Sequence, residues 1–226
     1  MPPARGPARW EHAVSVFADG PKTVIPYTRL LSALDKGGQW QRALFLLEGL
    51  QQAQLQLDTI LYNVLISACS KGARWETSLH LLEGLQKERL EADVITHNAV
   101  MSSCERASLW TAALAMFEQL TDTMRPTLAS YSTAISALAG EWQHALLLLH
   151  RSREDVLEPD VVIFGSAVSS CAKGHSWRCA LGLCSEAKSL GLSSAVLSSA
   201  AISACERTTR WQFALGVFVT RWQFVR

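Results

Sequence analysis

The chain has 226 residues, 49% of them apolar and 18% charged, and a formal net charge of +1. That balance excludes a globally basic nucleic-acid binder, and no apolar run approaches the ~18 residues of a membrane-spanning helix. Six cysteines and six histidines fall into none of the spacings used by disulfide frameworks or zinc sites.

Taken in chain order, the segments repeat. Trp10 opens "WEHAVSVF", Trp40 opens "WQRALFLLEGL" and Trp75 opens "WETSLHLLEGL". Trp110, Trp142, Trp177 and Trp211 open four more copies, at successive steps of 30, 35, 35, 32, 35 and 34 residues. A second phrase precedes each Trp from the second onward: "YTRLLSALDKGGQW" from Tyr27, "YNVLISACSKGARW" from Tyr62 and "HNAVMSSCERASLW" from His97. It continues as "YSTAISALAGEW" from Tyr131, "FGSAVSSCAKGHSW" from Phe164 and "SSAAISACERTTRW" from Ser198. A unit of two short segments is therefore repeated in tandem, which is the mark of a stacked array.

Both segments read as helices. Tyr62, Leu65, Ile66 and Cys69 fall at i, i+3, i+4 and i+7, one face of a 3.6-residue period. Gly72, Gly37, Gly38, Gly140 and Gly174 stand where those helices end. Leu79, Leu82 and Leu85 continue an apolar stripe on the second segment, and the third position after each Trp is always small: Ala13, Ala43, Ser78, Ala113, Ala145, Ala180 and Ala214. A lone hairpin cannot bury such faces but stacked neighbours can, so the expected fold is an all-α solenoid of helix-turn-helix repeats of about 35 residues. The frame predicts a partial repeat over 1–23, repeats at 24–58, 59–93, 94–127, 128–160 and 161–194, and a shortened one over 195–226.

Within this frame most residue types that suggest chemistry become packing. Each Trp opens a second helix beside the apolar stripe and is expected to fill space between hairpins. Cys69, Cys104, Cys171 and Cys205 share one position with Leu34 and Leu138, so that position is an apolar pocket. His97 stands where Tyr62 and Tyr131 stand. The chain contains no H-E-x-x-H, G-x-S-x-G, Walker or G-x-G-x-x-G motif. No enzymatic role and no cofactor or metal is expected. Lys36, Lys71, Arg106, Lys173 and Arg207 occupy the thirteenth place of their units. Cations there complement the helix dipole, and a stripe of one per unit also suits a phosphate backbone.

"DTILYNVLISACSKGARWETSLHLLEGLQKERLEAD", Asp58 to Asp93, resembles the pentatricopeptide repeat family. It is close to that family's pattern of a "YN-LI" first helix, a "K-G" turn, an "AL-LF" second helix and a terminal "PD", an ending that "EPD" at 158–160 and "RPT" at 125–127 preserve. The tetratricopeptide family, by contrast, puts its Trp in the first helix as W-x-x-L-G. The resemblance implies a right-handed superhelix that binds single-stranded RNA in a chloroplast or mitochondrion, one nucleotide per repeat. Such a protein acts in RNA processing, stability, editing or translation, with a protein effector as a further partner and no membrane or small-molecule substrate.

It further implies base reading by the fifth and last residues of each unit: Thr28 with Asp58, Asn63 with Asp93, Asn98 with Thr127, and Ser132 with Asp160. The family's code reads these as G, U, a weak pyrimidine preference and G. Gly165 with Ser194 departs from the pattern, because Gly offers no side chain. The competing reading of the same pairs is helix capping by the acids, and that of the whole array is a protein-binding scaffold. The chain opens inside a hairpin and closes soon after "RWQF" at 210–213 recurs at 221–224, as a piece of a longer array would.

Overall fold

The computed structural model describes residues 24–52, 57–192 and 194–207. The partial repeat over 1–23 and the end of the last one lie outside these residues. The chain divides into two compact units, Met1–Ala107 and Ser108–Arg226. In the first, α1 (Val24–Lys36), α2 (Trp40–Gln52), α3 (Thr59–Lys71), α4 (Trp75–Lys87) and α5 (Val94–Arg106) follow one another. The second holds α6 (Trp110–Thr123), α7 (Leu128–Ala137), α8 (Trp142–Glu154), α9 (Val161–Lys173), α10 (Trp177–Ser189) and α11 (Ala195–Arg207). No strand occurs among the described residues. First helices stack on first helices, α1 on α3 on α5 and α7 on α9 on α11, while second helices pack beside them. The fold is an all-α helical-repeat solenoid.

Local chemistry sets the helix boundaries. The side chains of Asp58, Asp93, Thr127 and Asp160 each accept a first-turn N–H of the helix that follows, satisfying donors that have no partner within the helix. At the other end, the Arg74 N–H reaches back to the Cys69 carbonyl at 3.0 Å and the Ala73 N–H to Ser70 at 3.0 Å. This reverse-bonded close needs one residue in the left-handed region, and Gly38, Ala73, Ser108, Gly140 and His175 supply it, with φ between 53° and 102°. The glycine just before it serves another purpose. Gly72 and Gly174 have ordinary φ values of −83° and −82°. A Cβ on Gly72 would stand 2.5 Å from Cδ1 of Trp40, and one on Gly174 would stand 2.6 Å from Cδ1 of Trp142. Each of these Trp rings lies against the turn of the next hairpin.

The core follows the expected faces. Tyr62, Leu65, Ile66 and Cys69 are all buried, as are the small residues Ala43, Ser78, Ala113, Ala145 and Ala180. Burial of Cys69, Cys104, Cys171 and Cys205 together with Leu34 and Leu138 confirms one apolar position. Burial pushes the Cys69 thiol up to about 11 and the Cys171 thiol up to about 12, so both stay neutral. The Tyr at the fourth place ties its hairpin together, whereas His97 bonds within its own first turn. Tyr131 donates to Asp155, just beyond α8, at 2.5 Å. Burial and a hydrogen bond to Glu88, just beyond α4, push the Tyr62 hydroxyl up to about 12. His97 is buried with Nδ1 3.0 Å from the Asp93 carbonyl, so Nδ1 carries the proton in that bond.

Candidate nucleic-acid interface

The fifth and last residues of a unit lie a whole hairpin apart in sequence, and stacking decides whether they meet. In the unit 59–93 they do. Asn63 on α3 donates from Nδ2 to both carboxylate oxygens of Asp93, at 3.3 and 3.4 Å. Asp93 also caps α5, accepting the Thr96 N–H at 2.8 Å. The Thr96 hydroxyl lies 2.5 Å from Oδ1 of Asn63. Burial alone would raise the Asp93 pKa. Hydrogen bonds from the backbone and side chain of Thr96, from Asn63 and from the Ile95 N–H outweigh it and hold the carboxyl below its ordinary value. Asp93 is therefore an anion at neutral pH.

The other pairs differ. Asp58 caps α3 through the Leu61 N–H at 2.8 Å, and Thr28 is half-buried on α1. Asp160 accepts the N–H groups of Val162 and Ile163 at 3.0 Å each, and no hydrogen bond joins it to Ser132 among the described residues. Asn98 belongs to the first unit and Thr127 to the second. Oδ1 of Asn98 is a buried acceptor without a partner among the described residues, while Thr127 forms a reciprocal cap with Ser130. Ser194 caps α11 through the Val196 N–H at 3.0 Å, and the space beside Gly165 is open.

The five cations are exposed at the last residues of α1, α3, α5, α9 and α11. Lys71 corrects the expectation of an equivalent set. Its Nζ sits 2.6 Å from Oδ2 of Asp35, one repeat earlier, and also donates to the Asp35 carbonyl at 3.1 Å. Its charge is already answered within the fold. Lys36, Arg106, Lys173 and Arg207 make no ion pair among the described residues.

Two sets of residues escaped the sequence reading. Ile60, Ile95, Val162 and Val196, the second residues of their units, are 64%, 66%, 60% and 65% exposed. Each precedes its fifth residue by three and so shares a helix face with it. Branched apolar residues recurring outside the buried stripe were the available signal. Thr96 is the other omission. Its counterparts Leu61, Ile163 and Leu197 are apolar and Ser130 is polar, so no recurring pattern marks the position.

Comparison with known proteins agrees with the helical-repeat fold. The pentatricopeptide repeat domain profile matches residues 45–106 and a PPR repeat profile matches residues 95–122. Residues 45–122 thus carry pentatricopeptide repeats. Among solved structures it is similar to the pentatricopeptide repeat protein PPR10 from maize, with 24% identity and a TM-score of 0.80 over 96% of this chain and 33% of that one. PPR10 in complex with an 18-nt psaJ RNA element matches at 20% identity and a TM-score of 0.68, over 95% of this chain and 31% of that one. The PPR domain of Arabidopsis thaliana protein-only RNase P 1, in complex with tRNA, matches at 16% identity and a TM-score of 0.65, over 81% and 95%. At such identities the likeness establishes the fold. The chain spans about a third of the length of PPR10. No curated protein matches it significantly.

Proposed function

We propose that this protein is a single-stranded RNA-binding adaptor that reads one nucleotide per repeat and carries out no chemistry of its own. The observation that supports this most is the Asn63–Asp93 pair. An amide with donor and acceptor groups is held by an ionised carboxylate, beside the exposed Ile60 on its own helix and Ile95 on the next. A few placed polar groups among apolar ones suit a planar base, whose edge needs hydrogen bonds and whose faces need apolar contact. RNA is present in the similar structures of PPR10 and the RNase P domain. Lys36, Arg106, Lys173 and Arg207 supply contacts to the phosphate backbone, which explains binding by a chain of near-zero net charge. The setting we propose is a chloroplast or mitochondrion, where occupying RNA or recruiting a protein effector alters processing, stability, editing or translation.

The test is selection from a randomised single-stranded RNA pool at low salt. Enrichment of a short register reading G, U, pyrimidine, G in consecutive positions is expected. Failure to retain any single-stranded RNA would overturn the proposal and leave a protein-binding scaffold in its place.

A further inference from the structure

The hydrogen bonds around Asn63 involve a third side chain with a definite role. Asp93 is ionised and can only accept, so Asn63 must turn Nδ2 toward it. That orientation sets Oδ1 of Asn63 against the Thr96 hydroxyl at 2.5 Å. Two bare oxygens would repel there, so the Thr96 proton is drawn to this contact. The same hydroxyl is 2.8 Å from Oδ1 of Asp93, which also accepts the Thr96 N–H at 2.8 Å. Its single proton is thus shared between the carboxylate and the amide oxygen, with the shorter contact to Asn63. The hydroxyl oxygen in turn accepts the Asp93 N–H at 3.3 Å. Turning the amide over would place its oxygen against the carboxylate. One N–H and one carbonyl lone pair of Asn63 remain free, in fixed order.

That order matters for the choice between the two pyrimidines. Uracil carries acceptor oxygens beside an N3–H donor, whereas cytosine carries an N4 donor beside an N3 acceptor. An amide held in one orientation distinguishes them, and a freely turning amide satisfies either. Thr96 is fully buried and acts through Asn63, without touching RNA. Leu61 and Ile163 occupy its place behind the units ending at Asp58 and Asp160 and have no hydroxyl to give.

We infer that Thr96 is a positioning residue that sets the uridine-over-cytidine choice of the preceding repeat, so that this reading site comprises three residues, Asn63, Asp93 and Thr96. The inference rests on the base-reading function proposed above. It is tested on the full chain with synthetic single-stranded RNAs that differ only in U or C at the nucleotide facing this unit. Thr96→Val, which keeps the shape and removes the hydroxyl, should lower the U-to-C affinity ratio by about five- to tenfold, the worth of one hydrogen bond. Thr96→Ser should retain the ratio. Ser130→Ala removes the equivalent reciprocal cap before α7 and should leave the ratio unchanged, which separates positioning from capping.

A folded Thr96→Val protein with the wild-type ratio would overturn this inference and leave base reading intact. A wild-type protein indifferent to U and C at every position would overturn both. A measurement on the wild type alone guards against a variant that does not fold. The side-chain amide of Asn63 should show 15N order parameters near those of rigid backbone, about 0.85. Rapid reorientation of that amide would equally overturn the role of Thr96.

Discussion

The repeats ending at Asp93 and at Ser194 use the same backbone arrangement with different contents. In the first, Asp93 caps α5 and also holds Asn63. In the second, Ser194 still caps α11, but the residue it would hold is Gly165, beside open space. Capping and side-chain pairing are thus separable tasks assigned to one position. Every described cap before a first helix is present, because exposed helix N–H groups need partners whatever the protein binds. The side-chain pair is seen between Asn63 and Asp93, and Gly165 has no donor with which to form one.

The turns offer the largest effect by which this comparison can be broken. A Cβ on Gly174 would collide with the Gly140 carbonyl, which is backbone, whereas one on Gly72 would meet only the Trp40 ring. Gly174→Ala should cost about 2–3 kcal/mol in urea unfolding, and Gly72→Ala about 1 kcal/mol because a side chain can turn aside. Equal losses would show that the two turns are packed alike.

Exchange of the reading residues sharpens the comparison next. Asn63→Thr should shift preference at one nucleotide from U toward G by about 1–3 kcal/mol, with the salt dependence unchanged. The pair Gly165→Asn and Ser194→Asp should add a U preference of about 1 kcal/mol where none existed, less than a full pair because Leu197 replaces the Thr96 hydroxyl. No gain, in a stably folded double variant, would mean that the pair is insufficient to read a base. Asp93 also predicts a pH limit. Its pKa is depressed in the folded state, so its contribution is complete above the ordinary carboxylate value near 3.8. That contribution is lost only as pH falls through the lower folded value. Uridine preference measured down to pH 5 should therefore be flat.

A smaller effect lies beyond the second helices. Val156 has φ 61° where Gly191 has φ 75° in the following repeat, and a β-branched residue is strained there. Val156→Gly should stabilise the second unit by about 0.5–1 kcal/mol, after the entropy that glycine loses on folding. An unchanged or lower melting temperature would argue against stored strain. The smallest effect concerns the cations. Lys173→Gln should reduce the slope of log affinity against log salt by up to ~0.7. Lys71→Gln should change it less, because its ammonium is already paired with Asp35. Equal slopes in both variants would indicate that Lys71 leaves Asp35 when RNA binds.

The repeat, its helices, the apolar position shared by Cys and Leu, and the acidic caps were all legible in the sequence by itself. They depend on spacing along the chain: a 3.6-residue period, a step of about 35 residues, and a capping side chain two or three residues from its donor. The juxtaposition of Asn63 with Asp93 was expected from family resemblance, and stacking brings them within hydrogen-bond reach. Only the tertiary structure decided what crosses from one repeat to the next. Thr96 meets Asn63 across 33 residues of chain, Lys71 meets Asp35 across 36, and Gly72 is small because of Trp40 one repeat earlier. Those contacts depend on how hairpins stack. A single repeat does not contain the neighbour against which each side chain is chosen.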